Sequence, residues 1–163
     1  MTKKIPSWQH ILQRFLMSRP VSAMMTRILY RADAFLLRLS GGRLDFTRAA
    51  GLPVIELTTT GAKSGLSRTL PLAGYPDGDK FVLIASNFGR AHNPGWYYNL
   101  KANPECIVKK AGHTGMYIAR EAEGEERERY WGWAVSCYIG YEAYRQRAAN
   151  RKIPVMILEP KPQ

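Results

Sequence analysis

Cysteine, histidine and acidic side chains are scarce in this chain, and each scarcity excludes a class of chemistry. Cys106 and Cys137 are the only cysteines in 163 residues and neither lies in a CxxC pair, so no disulfide framework is expected. Both read as small buried hydrophobes and not as nucleophiles. His10, His92 and His113 lie far apart without metal-ligand spacing, so no metal site is expected. No apolar run approaches the roughly 18 residues of a membrane-spanning helix. The first residues lack the unbroken apolar stretch and small-residue cleavage site of a secretion signal, which predicts a cytoplasmic protein. No Ser-His-Asp set, catalytic carboxylate pair or Cys-His pair stands out. An enzyme built on this chain would therefore draw its chemistry from a cofactor.

Positive charge is in excess: 24 Lys and Arg against 13 Asp and Glu, a net +11. It is uneven, with +7 on residues 1–50, +4 on 51–120 and zero on 121–163. A basic surface attracts nucleic acid, anionic lipid or an acidic cofactor. The Lys and Arg residues form none of the motifs of nucleic-acid recognition, so nucleic acid is not an expected partner. Hydrophobic content of 45% and charged content of 23% are those of a globular chain, and the length suits a single domain.

Two helices are expected first. Ser7 can cap one that carries Trp8, Ile11, Leu12, Phe15 and Leu16, and Arg19-Pro20 ends it. The second runs from about Val21 to Leu39, with an apolar stripe on one face and Arg27, Arg31 and Arg38 on another. Residues 1–42 thus form an amphipathic helical segment, able either to lie on an anionic membrane or to pack on the rest of the domain. Residues 43–163 hold the remainder. Strands are expected at Val54–Thr59, Arg68–Tyr75, Lys80–Ser86, Cys106–Lys110, Gly115–Arg120 and Ile153–Leu158. Helices are expected at Gly95–Ala102, Glu125–Val135 and Tyr141–Ala149. Six strands joined by short hairpins, without βαβ alternation in the middle, predict an antiparallel barrel with α decoration.

The centre of the chain is Leu57 to Arg68, LTTTGAKSGLSR. A β-branched run ends in two glycines that enclose Lys63 and Ser64, with Arg68 beyond. The order GxKSGxxR is not a Walker loop, and a strand follows it, so it reads as a hairpin with a basic mouth of phosphate size. Three other segments carry chemistry. Ala85-Ser86-Asn87-Phe88-Gly89 ends the buried strand, where backbone N–H groups and the Ser86 hydroxyl can bond a polar ring edge. Asn93-Pro94-Gly95-Trp96-Tyr97-Tyr98-Asn99 starts a helix with aromatics and amides, and helix N-termini favour anions. Tyr138, Tyr141 and Tyr144 are spaced by three and share one face if the backbone is helical.

Taken jointly, LTTTGAKSGLSR, the buried strand ending in Ala85-Ser86, NPGWYYNLKANP, the helix from Glu123 to Trp131, the tyrosine row and the terminal IPVMILEP resemble the deazaflavin-dependent nitroreductase family. These are split β-barrel oxidoreductases that use coenzyme F420, and the resemblance covers about Arg43 to Pro160. It implies a mainly β fold with α elements, a split β-barrel of the FMN-binding type with about six antiparallel strands. It implies hydride transfer from reduced F420 to a quinone-like or nitro-aromatic acceptor at the inner face of the membrane. It implies that Lys63 and Arg68 hold the phosphodiester and polyglutamate tail of F420, with Ser64 and Gly65 shaping the loop. Ala85, Ser86 and Asn87 would lie near the deazaflavin ring, and Pro94, Trp96 and Asn99 would line the cofactor groove. Ser86, Tyr138, Tyr141 and Tyr144 would act at the reacting centre, the tyrosines as the acceptor wall. Two positions depart from the protein that names the family: Asn87 replaces a lysine and Ala73 an active-site tyrosine. An FMN-binding split barrel, or a non-catalytic carrier of F420 or lipid, would present the same loop.

Overall fold

The computed structural model describes residues 51–148 and 151–162. The two expected N-terminal helices and the boundary at residues 42–43 lie outside them. Residues Pro53–Gln163 make one compact unit.

Its strands follow the side-chain alternation of the sequence. In β1 (Val54–Thr60), Ile55, Leu57 and Thr59 are buried while the residues between them are not. In β5 (Glu105–Lys110), Cys106 and Val108 turn inward. Period-2 burial of this kind marks strands with one face on the core. The continuous apolar run of β4 (Lys80–Ile84) is covered on both faces. Phe81 and Leu83 belong to the central core with Trp96, Leu100, Met156 and Leu158. Val82 and Ile84 are buried on the other face, where helix α2 (Gly124–Cys137) packs against β4 and β7 (Val155–Pro160).

Seven strands form one sheet in the order β2-β1-β5-β6-β7-β4-β3, every neighbouring pair antiparallel. Here β2 is Ser67–Ala73, β3 is Tyr75–Asp77 and β6 is His113–Glu121. The expected single strand Arg68–Tyr75 is thus two strands and the expected six are seven. The reason is Gly74. It separates β2 from β3, yet these lie at opposite edges of the sheet, so the sheet must curl until its edges approach at this residue. The Gly74 N–H donates to the Pro53 carbonyl at 2.9 Å. A Cβ on Gly74 would stand 2.7 Å from the Ile55 side chain, so only glycine lets the bent strand pass so close. A chain that changes partners through a bend is how a sheet makes a barrel corner. The result is the curled half-barrel of the split β-barrel fold.

The registers also assign loops to ends. Thr59 pairs with Cys106, Glu105 with Ile118, and Ile84 with Val155, while the Ala122 N–H reaches the Val155 carbonyl. The exits of β1, β4 and β6 therefore share one end of the half-barrel. The hairpin turns at Gly78-Asp79 and Ala111-Gly112 lie at the other. Helix α1 (Gly95–Ala102) follows the loop after β4 and packs on β1 and β6. It has the predicted bounds, with Pro94 in the extended conformation before its first turn.

Candidate functional site

Two loops and two helices meet at the end of the half-barrel where β1 and β4 exit. The first loop joins β1 to β2. The Gly61 N–H donates to the Leu66 carbonyl and the Gly65 N–H to the Gly61 carbonyl, both at 2.8 Å. The Leu66 N–H donates to Ser64 Oγ at 3.3 Å. Gly65 holds φ +67°, a left-handed value that glycine adopts freely. Asn99 of α1 ties this loop down, accepting from the Ala62 N–H at 3.0 Å and donating to Thr59 Oγ1 at 3.0 Å. Lys63 and Arg68 extend from the loop into solvent, and neither makes an ion pair among the described residues. Elsewhere on the unit, Lys80, Lys101, Arg120 and Lys161 all meet carboxylates. Lys63 on the loop and Arg68 at the start of β2 are thus among the cations that meet no carboxylate, and both are exposed.

The second loop follows β4. Ala85 is fully buried and donates its N–H to the Pro154 carbonyl at 2.9 Å. Asn87, Phe88 and Gly89 form a 3-10 turn with φ of 46°, 56° and 77°. Such values are rare for a bulky residue like Phe88 and persist only where surrounding contacts enforce them. The enforcing contacts are visible. Asn87 Nδ2 donates to the His92 carbonyl at 2.9 Å, and the Gly89 N–H to the Ser86 carbonyl at 2.9 Å. Gly89 lies so close to helix α3 (Gly140–Ala148) that a Cβ would stand 2.7 Å from the Tyr144 carbonyl. The Phe88 ring meets the Tyr144 ring edge-on with centroids 5.9 Å apart. The Ser86 hydroxyl makes no hydrogen bond among the described residues.

The tyrosine row comes together by a route that its spacing does not describe. Tyr138 is not helical: it ends α2 with φ −148° and ψ 101°. Its ring folds over Gly140, where a Cβ would collide at 2.3 Å. Tyr141 and Tyr144 stand on α3. The three are 5–7% exposed. Tyr138 and Tyr144 hydroxyls lie 3.1 Å apart, and Tyr75 donates to the Tyr141 hydroxyl at 3.1 Å. Burial raises the pKa of Tyr138, Tyr141, Tyr144 and Tyr75 above the ordinary phenol value, so all four stay neutral donors through physiological pH. Burial likewise pushes the Cys106 thiol up to about 12, which makes it an inert core residue. Among the described residues no group of three His, Cys, Asp or Glu side chains could hold a metal ion.

Of the residues singled out in the sequence, the structure gathers Lys63, Ser64 and Gly65 on the first loop, Arg68 at the start of β2 beside it, and Asn99 as its anchor. It gathers Ser86, Asn87 and Tyr144 at the second, with Tyr138 and Tyr141 behind Tyr144. Pro94 opens the helix between the loops. Trp96 lies in the central core, beneath α1, and supports the groove from within. Two participants have no signal of their own in the sequence: Tyr75 falls inside an expected strand, and Arg151 stands in a basic pair before the closing strand. Arg151 Nε donates to the Arg90 carbonyl at 3.0 Å, Nη1 to the Ala85 carbonyl at 3.2 Å and to Asn93 Oδ1, and Nη2 to the Ser86 carbonyl at 2.8 Å. Nothing in the local sequence separates Arg151 from the other surplus arginines. Chemically, the arrangement offers two free cations for an anionic group, an uncommitted hydroxyl on a rigid turn, and neutral tyrosines. It lacks a nucleophile or an acid–base pair of its own.

The chain is similar to several known proteins. A family model described as F420H(2)-dependent quinone reductase matches residues 29–160. An F420H(2)-dependent quinone reductase of Mycobacterium tuberculosis is 30% identical over 132 residues, 80% of this chain and 89% of that protein. A solved structure of an F420-H2 dependent reductase is similar at 42% identity and a TM-score of 0.61, covering 66% of this chain and 94% of that one. A solved structure described as a domain-swapped dimer matches with the same identity and score over 66% of this chain and 80% of that one.

Proposed function

Because the chain belongs to the F420H(2)-dependent quinone reductase family, an oxidoreductase family with coenzyme F420 as cofactor, we propose that it reduces a quinone at the end of the half-barrel where β1 and β4 exit. Reduced F420 supplies the hydride. The observation that carries the reading is the pair of unpaired cations, Lys63 and Arg68, at the same end of the sheet as the uncommitted Ser86 hydroxyl. The residues fit the cofactor: an acidic phosphodiester and polyglutamate tail suits exposed lysine and arginine, which bind such groups by charge-assisted hydrogen bonds.

Each residue then has a task. Lys63 and Arg68 bind the anionic portion, on a loop that Ser64, Gly65 and Asn99 hold in shape. The Ser86 hydroxyl and the first N–H groups of the Asn87–Gly89 turn, which have no partner at a helix start, bond the polar ring edge. Pro94 and Trp96 position α1 between the two loops. Tyr138, Tyr141 and Tyr144 form the acceptor side, and the Phe88–Tyr144 contact joins that side to the Ser86 turn. A neutral tyrosine or the Ser86 hydroxyl stabilises negative charge as it develops on the quinone oxygen. The work of the protein is to hold donor and acceptor in reach and to exclude water. We assign the anionic membrane surface as the place of action. Support comes from the +7 charge of residues 1–50 and from Trp8, Arg14 and Phe15 within them.

Titration of the protein with F420, followed by steady-state assay with reduced F420 and a menadione-like quinone, tests this reading. Lys63→Ala is expected to weaken F420 binding about tenfold, the equivalent of about 1.4 kcal/mol for one lost charge-assisted bond. That loss should shrink as salt rises. Tight F420 binding with no quinone reduction would overturn the acceptor; an unchanged F420 affinity in Lys63→Ala would overturn the cofactor placement.

A further inference from the structure

Both peptide planes that flank Ser86 are tied to one side chain from a remote part of the chain. The Ala85 carbonyl belongs to the plane before Ser86 and the Ser86 carbonyl to the plane after it. Arg151 donates to the first through Nη1 at 3.2 Å and to the second through Nη2 at 2.8 Å. The same guanidinium reaches the far end of the loop, at the Arg90 carbonyl through Nε at 3.0 Å and at Asn93 Oδ1. Fixing two successive planes fixes φ and ψ of the residue between them. The peptide bonds of the described residues are all trans. With the Ser86 carbonyl turned toward Arg151, the Asn87 N–H of that plane must point the opposite way.

We propose that Arg151 is a positioning residue for the reaction: it sets the direction of the Ser86 Cα–Cβ bond and of the Asn87 N–H, and so aims the polar groups that meet the ring edge. The inference rests on the reading that Ser86 serves the reacting centre. It also accounts for the left-handed run Asn87, Phe88 and Gly89, a conformation that needs enforcement. The Asn87–His92 bond and the contact of Gly89 with α3 hold the turn from one side. Arg151 holds it from the other, and its own N–H is anchored on the Ala148 carbonyl at 2.9 Å. The task is specific to arginine. A planar guanidinium carries five donors in fixed directions, whereas a lysine ammonium is a single point that cannot span both planes and Asn93.

A double-mutant cycle tests this, with kcat and KM for the quinone at saturating reduced F420, F420 affinity and Tm measured for each protein. The variants are Arg151→Lys, Ser86→Ala and the pair. Arg151→Lys is expected to lower kcat about tenfold with F420 affinity within about twofold, because the Lys63 loop is untouched. If Arg151 acts through the Ser86 turn, Ser86→Ala costs about tenfold in the natural background and less than about twofold in Arg151→Lys. Losses that multiply to about a hundredfold, or an unchanged kcat in Arg151→Lys, would overturn the positioning role. A Ser86→Ala protein with unaltered kcat and F420 affinity would overturn the underlying site reading, a result separate from the cycle, and the proposal would fall with it. Should Arg151→Lys not fold, Asn93→Ala, which frees one arm of the guanidinium, is taken through the same cycle under the same criteria.

Discussion

A tyrosine hydroxyl that bonds another tyrosine in a buried cluster has two measurable properties, and both apply to Tyr138, Tyr141 and Tyr144. The first is an alkaline liability. Burial raises their pKa values above 10 in the folded protein, so the unfolded chain loses these protons first. Stability is therefore unaffected below about pH 10 and falls as pH rises above it, because the unfolded state there binds fewer protons. Urea denaturation at pH 8 and pH 10.5 should show the fall. Tyr141→Phe should lower stability at pH 8 by about 1 kcal/mol, the worth of one hydroxyl bond, and flatten the alkaline loss. An alkaline loss equal to that of the natural protein would place the effect elsewhere. The second property is donor strength without basicity. Tyr→Phe keeps the ring that alanine would replace by a cavity, so it isolates the hydroxyl. In the same variants kcat/KM for a quinone should fall severalfold while F420 affinity stays constant; equal losses in both would remove the tyrosines from the acceptor side. At this scale the free cations Lys63 and Arg68 were legible, since glycine, lysine and serine within a few residues state their chemistry locally. Arg151 was not, because its acceptors lie about 60 residues away in the chain.

The elements were legible to within a few residues wherever burial has a period. β1, β5 and α1 follow alternation or Pro–Gly punctuation, and the structure agrees. The reading of Arg68–Tyr75 as one strand missed the bend, because β-propensity continues across Gly74 while its hydrogen-bonding partners change from β1 to β4. Glycine in a strand signals a bulge, a bend or a close approach, and here it is a bend and a close approach together. Gly74→Ala should cost about 1–3 kcal/mol by overpacking Ile55. Ile55→Val removes Cδ1, one of the two nearest atoms, and alone costs about 0.5–1.5 kcal/mol. The double variant should be more stable than the sum of the two losses predicts, as read by urea denaturation. Strict additivity would show that another contact forces the bend. The tyrosine row makes the same point. Its spacing assumed one helix, and the cluster formed although the helix ends at Tyr138, because Gly140 leaves room for the ring to fold back.

For the whole molecule, charge is the property that reaches beyond any one contact. The +7 of residues 1–50 and the exposed cations Lys63 and Arg68 are proposed to meet two different acidic partners, and deletion separates them. A protein lacking residues 1–18 should pellet less with anionic liposomes at low salt than the full chain, with F420 affinity unchanged. Equal pelleting of both would remove the terminal segment as the membrane contact. Among the described residues no helix is long and apolar enough to cross a membrane. Composition, local pattern and family resemblance were enough to specify a mainly β domain, its basic loop and its dependence on coenzyme F420. These rest on periodicities and motifs carried within a dozen or so neighbouring residues. The tertiary structure alone decided that the sheet has seven strands and meets itself at Gly74, that the loops after β1 and β4 share an end, and that four carbonyl or amide oxygens converge on Arg151. The physical reason is common to all three. Strand pairing and buried hydrogen bonds join residues distant in the chain, and their partners are chosen by packing around a shared core, which no local stretch of sequence encodes.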